Sequence, residues 1–443
     1  MSSRTRSFEA AGGGGRWGFA GMAHPHTAAM NARTTIAGRA EWLVANSPHA
    51  ASLVGVAVNA LTGPFTARAT GPDAAQIEAD RTRFSRQIAL PALQRRAARS
   101  VIVQGEAFIL LRVDPDTGAL SPELLDPVQV DRMLDRENPD GSRITGGVEF
   151  DAFGRRVAYW VRPDPPGVAL ARMRDPVRVH AADLLHLFDA HWPGQVRGLS
   201  WLAPVLTRLV EIDALEDAVL ARAKTSALFA GFIRDASGEA GGFTGEATPA
   251  GGLETGLEPG VLKILGPGQD ISFPSVPDAD FATDFLKANL RSVAAALGLS
   301  YEQVSADLSG TNLSSIRVGL MEHRRRYAEL RDSLIIRSLL DPLWMRLHTL
   351  AALSGQRPWP ANGDLETAFA VDWTPPGWPA VDPAKETTAD VAAVAAGFKS
   401  RREVIAARGR DPDQVAAEIA AEGPAPGAQT VPGDDDEDDD DDA

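Results

Sequence analysis

Two dipeptides, Lys224-Thr225 and Lys399-Ser400, could close a phosphate-binding loop, but neither follows the glycines whose backbone N–H groups would cradle a phosphate. Nucleotide hydrolysis by this chain is therefore not expected. The "GPG" turn at Gly266, Pro267 and Gly268 has no helix start behind it and makes no dinucleotide fingerprint. Neither an HExxH helix nor a GxSxG nucleophile elbow occurs. Cysteine is absent, which removes disulfides, thiolate zinc sites and cysteine nucleophiles together. Of the eight histidines only His24 and His26 stand close enough to chelate a metal, and they fall in a Gly-rich arm; His323 reads as a packed or partly exposed side chain on a long helix and not as a ligand. The sequence assigns no catalytic residue, no cofactor and no metal.

Two basic runs, "HRRR" at 323–326 and "LQRRAAR" at 93–99, carry the charge to grip phosphates. In the first, Glu322 with Arg326 and Arg325 with Glu329 are i,i+4 partners, which favours a solvated helix face. Trp373 and Trp378 in "WTPPGW" could stack on a sugar, but a Pro-rich connector pinned to a core by its aromatics accounts for them better. Asp131 and Glu149 are the carboxylates that a hydrolase of an extended polymer would use, without the defined spacing of an acid/base pair. That hydrolase is the alternative reading.

Composition is that of a globular protein: 443 residues, 44% hydrophobic and 23% charged. No apolar run is long enough to span a bilayer, and the opening "MSSRTRSFEAAGGGGRWGFAGM" has no apolar segment of the secretory kind, so residues 1–30 are expected to be a flexible arm on a protein made and used in a cytoplasm. The net charge of −15 owes nine charges to the acidic block at 434–442, which makes 422–443 a self-repelling, disordered tail; mimicry of nucleic acid is the sharper reading of it.

Periodicity supplies the elements. Residues 36–62 read as two helices broken near Pro48, with Asn46 and Ser47 as caps, and 73–103 as one helical stretch. A strand at 107–113, the turn "DPDTG" and short strands follow to 191. Residues 201–229 hold no proline after Pro204 and no glycine, and 205–229 would make a rod on the order of 37 Å with Asp213, Glu216 and Asp217 on one side. A Gly-rich excursion leads to a helix through Leu286, Leu290, Val293 and Leu297. After the polar interruption 298–315, a long helix restarts near Ile316 and is expected to kink at Asp341-Pro342. A Pro/Trp-rich connector at 358–383 and two short helices in 390–421 complete the chain.

Read in order, the blocks "AEWLVANSPHAASLVGVAVNALTG", "LQRRAARSVIVQGEAFILLRV", "ELLDPVQVD", "GGVEFDAFGRRVAYWVRP", "PGQVRGLSWLAPVLTRLVEIDALEDAVLARAKTSALFAGFI" and "VAAALGLSYEQVSADLSGTNLSSIRVGLMEHRRR" resemble the lambda-type phage portal proteins. The resemblance covers roughly residues 30–420. It implies an α+β fold with an α/β wing (31–200), a stem helix (201–229), a clip (230–280), a second stem helix (281–299), a tunnel loop and long wing helix (300–355) and a helical crown (356–421). It implies a dodecameric ring at one capsid vertex in the virion, assembled in the host cytoplasm, with no membrane association and no catalysis. Double-stranded DNA would pass through its channel. The implied partners are the terminase large subunit, a head-completion or adaptor protein, and the major capsid and scaffold proteins. A channel that must pass DNA without holding it is better acidic or weakly polar than basic, which nominates Asp213, Glu216, Asp217, Asp307, Ser309 and Asn312 as channel and tunnel-loop residues.

Overall fold

The computed structural model describes residues 25–69, 74–167, 174–228, 232–234, 246–247, 253–254, 263–265, 279–309, 313–360 and 363–422. Helices α1 (Pro25–Asn46) and α2 (Pro48–Leu61) break where expected, because Pro48 has no N–H for the helix ladder, and the Ser47 hydroxyl accepts from the Ala50 amide at 3.4 Å. The first begins at Pro25, inside the expected arm. Strand β1 (Thr66–Ala69) precedes α3 (Ala74–Gln87) and α4 (Leu90–Gln104), which periodicity alone merges into one helix; Ala89, at φ 49°, separates them. The strand-rich stretch contains β2 (Glu106–Val113), β3 (Leu120–Leu125), β4 (Arg136–Glu137), β5 (Arg143–Thr145), β6 (Val148–Phe150), β7 (Arg156–Val161), β8 (Val177–His180) and β9 (Leu184–Phe188). Within it "DPVQV" is not a strand: Asp126 caps a 3-10 turn at Pro127–Gln129.

Helix α5 (Leu206–Leu228) starts later than residue 201, because 201–205 form turns. Beyond it β10 (Phe232–Arg234), β11 (Glu246–Ala247), β12 (Leu253–Glu254) and β13 (Lys263–Leu265) are described, with β10 parallel to β13. Helix α6 (Ala279–Ala296) is followed by α7 (Tyr301–Ser305), a helix inside the segment read as an interruption. Its signal is a capping box: the Ser300 hydroxyl accepts from the Gln303 amide and Gln303 Oε1 from the Ser300 amide. Helix α8 (Leu313–Leu330), a π-helical run (Arg331–Leu340) and α9 (Asp341–Leu353) then follow without a break. The 358–383 segment holds α10 (Leu365–Ala368) and β14 (Val371–Thr374), and the described residues close with three helices, α11 (Pro383–Ala395), α12 (Arg401–Ala407) and α13 (Pro412–Glu422), where two were expected.

Two compact units result, and they do not follow chain order: Met1–Leu61 joins Ala92–Leu339, and Thr62–Pro91 joins Leu340–Ala443. Residues 62–91, which lie inside the stretch 31–200 expected as the wing, group with the C-terminal part. In the first unit β2 lies between β3 and β9, all antiparallel, and the meander β4-β5-β6-β7-β8 turns Val148, Phe150, Tyr159 and Val161 onto Phe108, Leu125, Leu184 and Val196. Helix α5 buries Leu206, Leu209 and Ile212 and packs on α1 and α6. In the second unit β1 pairs with β14, Ala67 opposite Trp373, and Ala67, Ala69, Ile77, Trp344, Ala352 and Phe369 form the core. Among the described residues no helix is long and apolar enough to cross a membrane.

Candidate functional site

The first unit is organised around one carboxylate. Glu106 and Phe108 share a face of β2, as His186 and Phe188 share a face of β9, and the antiparallel register sets Phe108 opposite His186. Glu106 is fully buried. Its Oε1 accepts from Arg33 Nη1 and from Arg197 Nη2 (2.7 Å), and its Oε2 from the Gly198 amide (2.9 Å) and His186 Nε2 (3.0 Å). Arg197 Nε bridges both oxygens at 3.0 Å, Nη1 reaches the Gly146 carbonyl (2.6 Å) and the Val130 carbonyl (3.4 Å), and Nη2 reaches the Pro127 carbonyl (3.0 Å). All the guanidinium donors are thus used. The approach requires glycine on both segments: a Cβ on Gly198 would lie 2.0 Å from the Gly105 carbonyl oxygen, and Gly105 itself sits at φ +97°.

Burial by itself would raise the Glu106 pKa. Arg197, then Arg33 and the His186 hydrogen bond, overcome it and hold the carboxyl well below the usual range. His186 stacks between Phe108 (4.2 Å) and Phe188 (4.5 Å). Arg156 Nη1, which can only donate, lies 3.3 Å from its Nδ1, so the neutral ring carries its proton on Nε2 and donates it to Glu106. Burial first of all pushes this histidine down to about 4, against the raising effect of Glu106. An anion with every lone pair occupied has no proton to take and no room for a substrate. Glu106 anchors the fold.

Of the six nominated channel residues, the five that are described fall into separate settings. Asp213 accepts from the Ser47 hydroxyl at 3.0 Å, and Glu216 Oε1 lies 2.8 Å from His49 Nε2, so both tie α5 to the α1–α2 junction. Asp217 is exposed. Asp307 clasps the turn after α7: Oδ1 accepts from the amide and hydroxyl of Ser309, and Oδ2 from the Tyr301 hydroxyl at 3.0 Å, with Lys287 Nζ at 3.6 Å. The Ser309 bonds, then Tyr301, draw its carboxyl down to about 2. Asn312 lies outside the described residues, as do His24 and the acidic block, and nothing is described of the His26 side chain.

His323 is packed as expected, with Nδ1 3.2 Å from the Gly298 carbonyl oxygen, and borders an open groove of about 740 Å³ with Ser300, Glu322 and Arg326. Arg325 pairs with Glu322 at 3.6 Å, an i,i+3 contact where i,i+4 partners were expected. The hydrolase reading finds no support, for Asp131 pairs with Arg162 (2.7 Å), and Glu149 accepts from Arg178 Nε and Nη2 (both 2.9 Å) and from Trp160 (3.0 Å). Trp373 is pinned by Asp341 Oδ1 (2.7 Å) with its ring edge-on to Trp344. Among the described residues no group of three or more His, Asp or Glu could hold a metal. The Glu106 anchorage escaped sequence reasoning, since its partners come from three distant segments, at Arg33, His186 and Arg197–Gly198; its one local signal is a carboxylate between apolar Val103 and Phe108.

Comparison with known proteins adds the lineage. The chain is 27% identical over 332 residues to the probable portal protein of Halomonas phage phiHAP-1, covering 72% of this chain and 62% of that one. It is 25% identical over 354 residues to portal protein B of Escherichia phage lambda, covering 72% and 65%. The portal protein of Escherichia phage N15 matches at 24%, covering 72% and 66%. The chain spans less than two thirds of the length of each of these relatives. Among solved structures it is similar to the neck of a native gene transfer agent particle computed with C12 symmetry, at 14% identity and TM-score 0.44, over 84% of this chain and 94% of that one. The sequence model for the phage portal protein, lambda family, matches residues 15–331, a stretch that holds the Glu106 anchorage, α5 and α8. By that match the chain belongs to the lambda family of phage portal proteins.

Proposed function

We infer that this chain is the subunit of a closed portal ring, a conduit for double-stranded DNA at one capsid vertex of a virion, assembled in the host cytoplasm. The observation that carries the reading beyond family membership is the course of α5. Its first turns bury one face, Leu206, Leu209 and Ile212, but every residue from Asp217 to Lys224 is exposed, including Val219 at 38% and Leu220 at 52%. Phe285 of α6 and Val318 and Met321 of α8 are likewise half or more exposed. Apolar side chains left in water at this scale fit contacts between copies, and head-to-tail contacts that close make a ring.

In this reading the strand-rich part of the first unit serves as wing, α5 and α6 as stem, 230–280 as clip and α11–α13 as part of a crown. A separate terminase docks at the clip and supplies the ATP hydrolysis; head-completion, capsid and scaffold proteins complete the vertex. The ring is read as twelve-membered. Asp217 is the nominated stem acid left to the channel, while Asp307 and Ser309 shape the tunnel loop at its base. A channel of this charge passes DNA without releasing its counterions to basic side chains.

Negative-stain imaging of the purified chain tests the reading. Closed rings with an axial hole are expected; isolated single chains at every concentration would contradict it.

A further inference from the structure

We propose that Arg331–Leu340 is a register joint: a π-helical stretch that holds one residue more than the α register needs and can close to α without unthreading the helices on either side. π-Helix is ordinarily confined to single turns, whereas this run has 10 residues. Its side chains pair at the π spacing. The Ser338 hydroxyl donates to the Ser333 carbonyl at 2.7 Å, and Arg337 Nε lies 3.6 Å from Asp332 Oδ1, each an i,i+5 contact. The second pair is exposed and contributes little energy, so it follows the ladder and does not impose it.

The core favours the wide turn. Leu334, Ile335 and Ile336 are buried in succession, and Leu339 and Leu340 come five residues after the first two. On an α-helix three consecutive side chains would span about 200°, twice the width of an ordinary buried stripe. Pro342 acts from downstream. It has no N–H for the Ser338 carbonyl, and in the α register its ring would crowd that carbonyl, a conflict that the widened turns before it relieve. The backbone at Leu340 stays helical (φ −71°, ψ −47°) with no side-chain cap, so the strain has not broken the helix. Upstream, buried Arg331 fixes the start of the run by donating from Nε to the Ala60 carbonyl at 2.6 Å. At Leu340 the chain passes into the second unit.

Two single-residue deletions in the full chain test the joint. Deleting Ser338 lets the run close to α, and the melting temperature is expected to stay within about 3 °C of the parent. Deleting exposed Arg325 in α8 must instead move His323, or Tyr327 with Arg331, out of phase, and is expected to cost at least about 8 °C. Equal losses from both deletions would overturn the proposal. In the intact chain Pro342→Ala removes the downstream constraint, and amide exchange over 336–342 is expected to slow about tenfold as the ladder tightens; unchanged exchange would overturn it as well.

Discussion

Two of the buried histidines, His186 in the first unit and His348 in the second, are held in opposite ways. His186 has both ring nitrogens engaged, by Glu106 and Arg156, and lies within a network where the Glu106 oxygens and the Arg197 donors all have partners. His348 is 1% exposed, and neither of its ring nitrogens has a hydrogen-bond partner among the described residues. It is held by shape, 4.3 Å from the Trp344 ring and 5.3 Å from that of Phe369. The first site dictates which segments meet; the second only fills space. A satisfied polar network specifies its neighbours because each lost partner strands a buried group, whereas an unpaired imidazole among aromatics is a ring whose nitrogens contribute nothing.

The largest break in this contrast is Glu106→Gln, which leaves Arg33 and Arg197 buried against a neutral amide and is expected to destabilise the first unit by about 3–5 kcal/mol in denaturant unfolding. Acid comes next. Both histidines are pushed down to about 4, His186 by burial against the pull of Glu106, His348 by burial and then by Arg357. Below the ordinary value of 6.5 the unfolded rings take up protons that the folded rings refuse, so stability falls as pH drops from about 6.5 through 4, by up to about 3 kcal/mol for each ring. Glu106, held low, acts in the same direction at lower pH: its contribution is complete above its ordinary carboxylate pKa and is lost as pH falls below it. Melting temperature against pH reads the sum, and each His→Phe variant should remove its own unit's share.

At neutral pH those two variants separate the sites. His186→Phe removes one of the hydrogen bonds to the charged Glu106 Oε2, which keeps the Gly198 amide and Arg197 Nε, and is expected to cost about 1–3 kcal/mol, while His348→Phe, which loses no bond, should stay within about 1 kcal/mol of the parent. Equal costs would erase the distinction. The smallest effect sharpens the second unit: Trp373→Phe keeps the edge-on packing against Trp344 but loses the bond to Asp341, for about 1 kcal/mol by thermal melting.

What the sequence shows of this molecule follows from range. The α1–α2 break at Pro48, the apolar β2, the α5 rod and the α6 stripe are local patterns, and they were legible. The capping box "SYEQ" at the start of α7 is equally local, but it stands in a polar segment with no long apolar stripe to mark a helix. The pairing of β1 with β14 joins strands at opposite ends of the chain, which is why 62–91 could not be placed with the second unit from pattern alone. Glu106 is of the same kind: Arg33, His186 and Arg197 announce nothing until the strands bring them together. Among the nominated acids, type and helix face were readable, but the engagement of Asp213 by Ser47 and of Glu216 by His49 depends on where α1 and α2 land. Family membership was legible because it rests on many blocks in one order and needs no contact.

The proposed ring requires that this chain work only as a closed assembly of its own copies. Light scattering of the purified protein, across concentration and from low to high salt, tests it most directly. The expected result is a species of about twelve times the 47.0 kDa chain mass that persists on dilution. A stable 47.0 kDa species under every condition would contradict it.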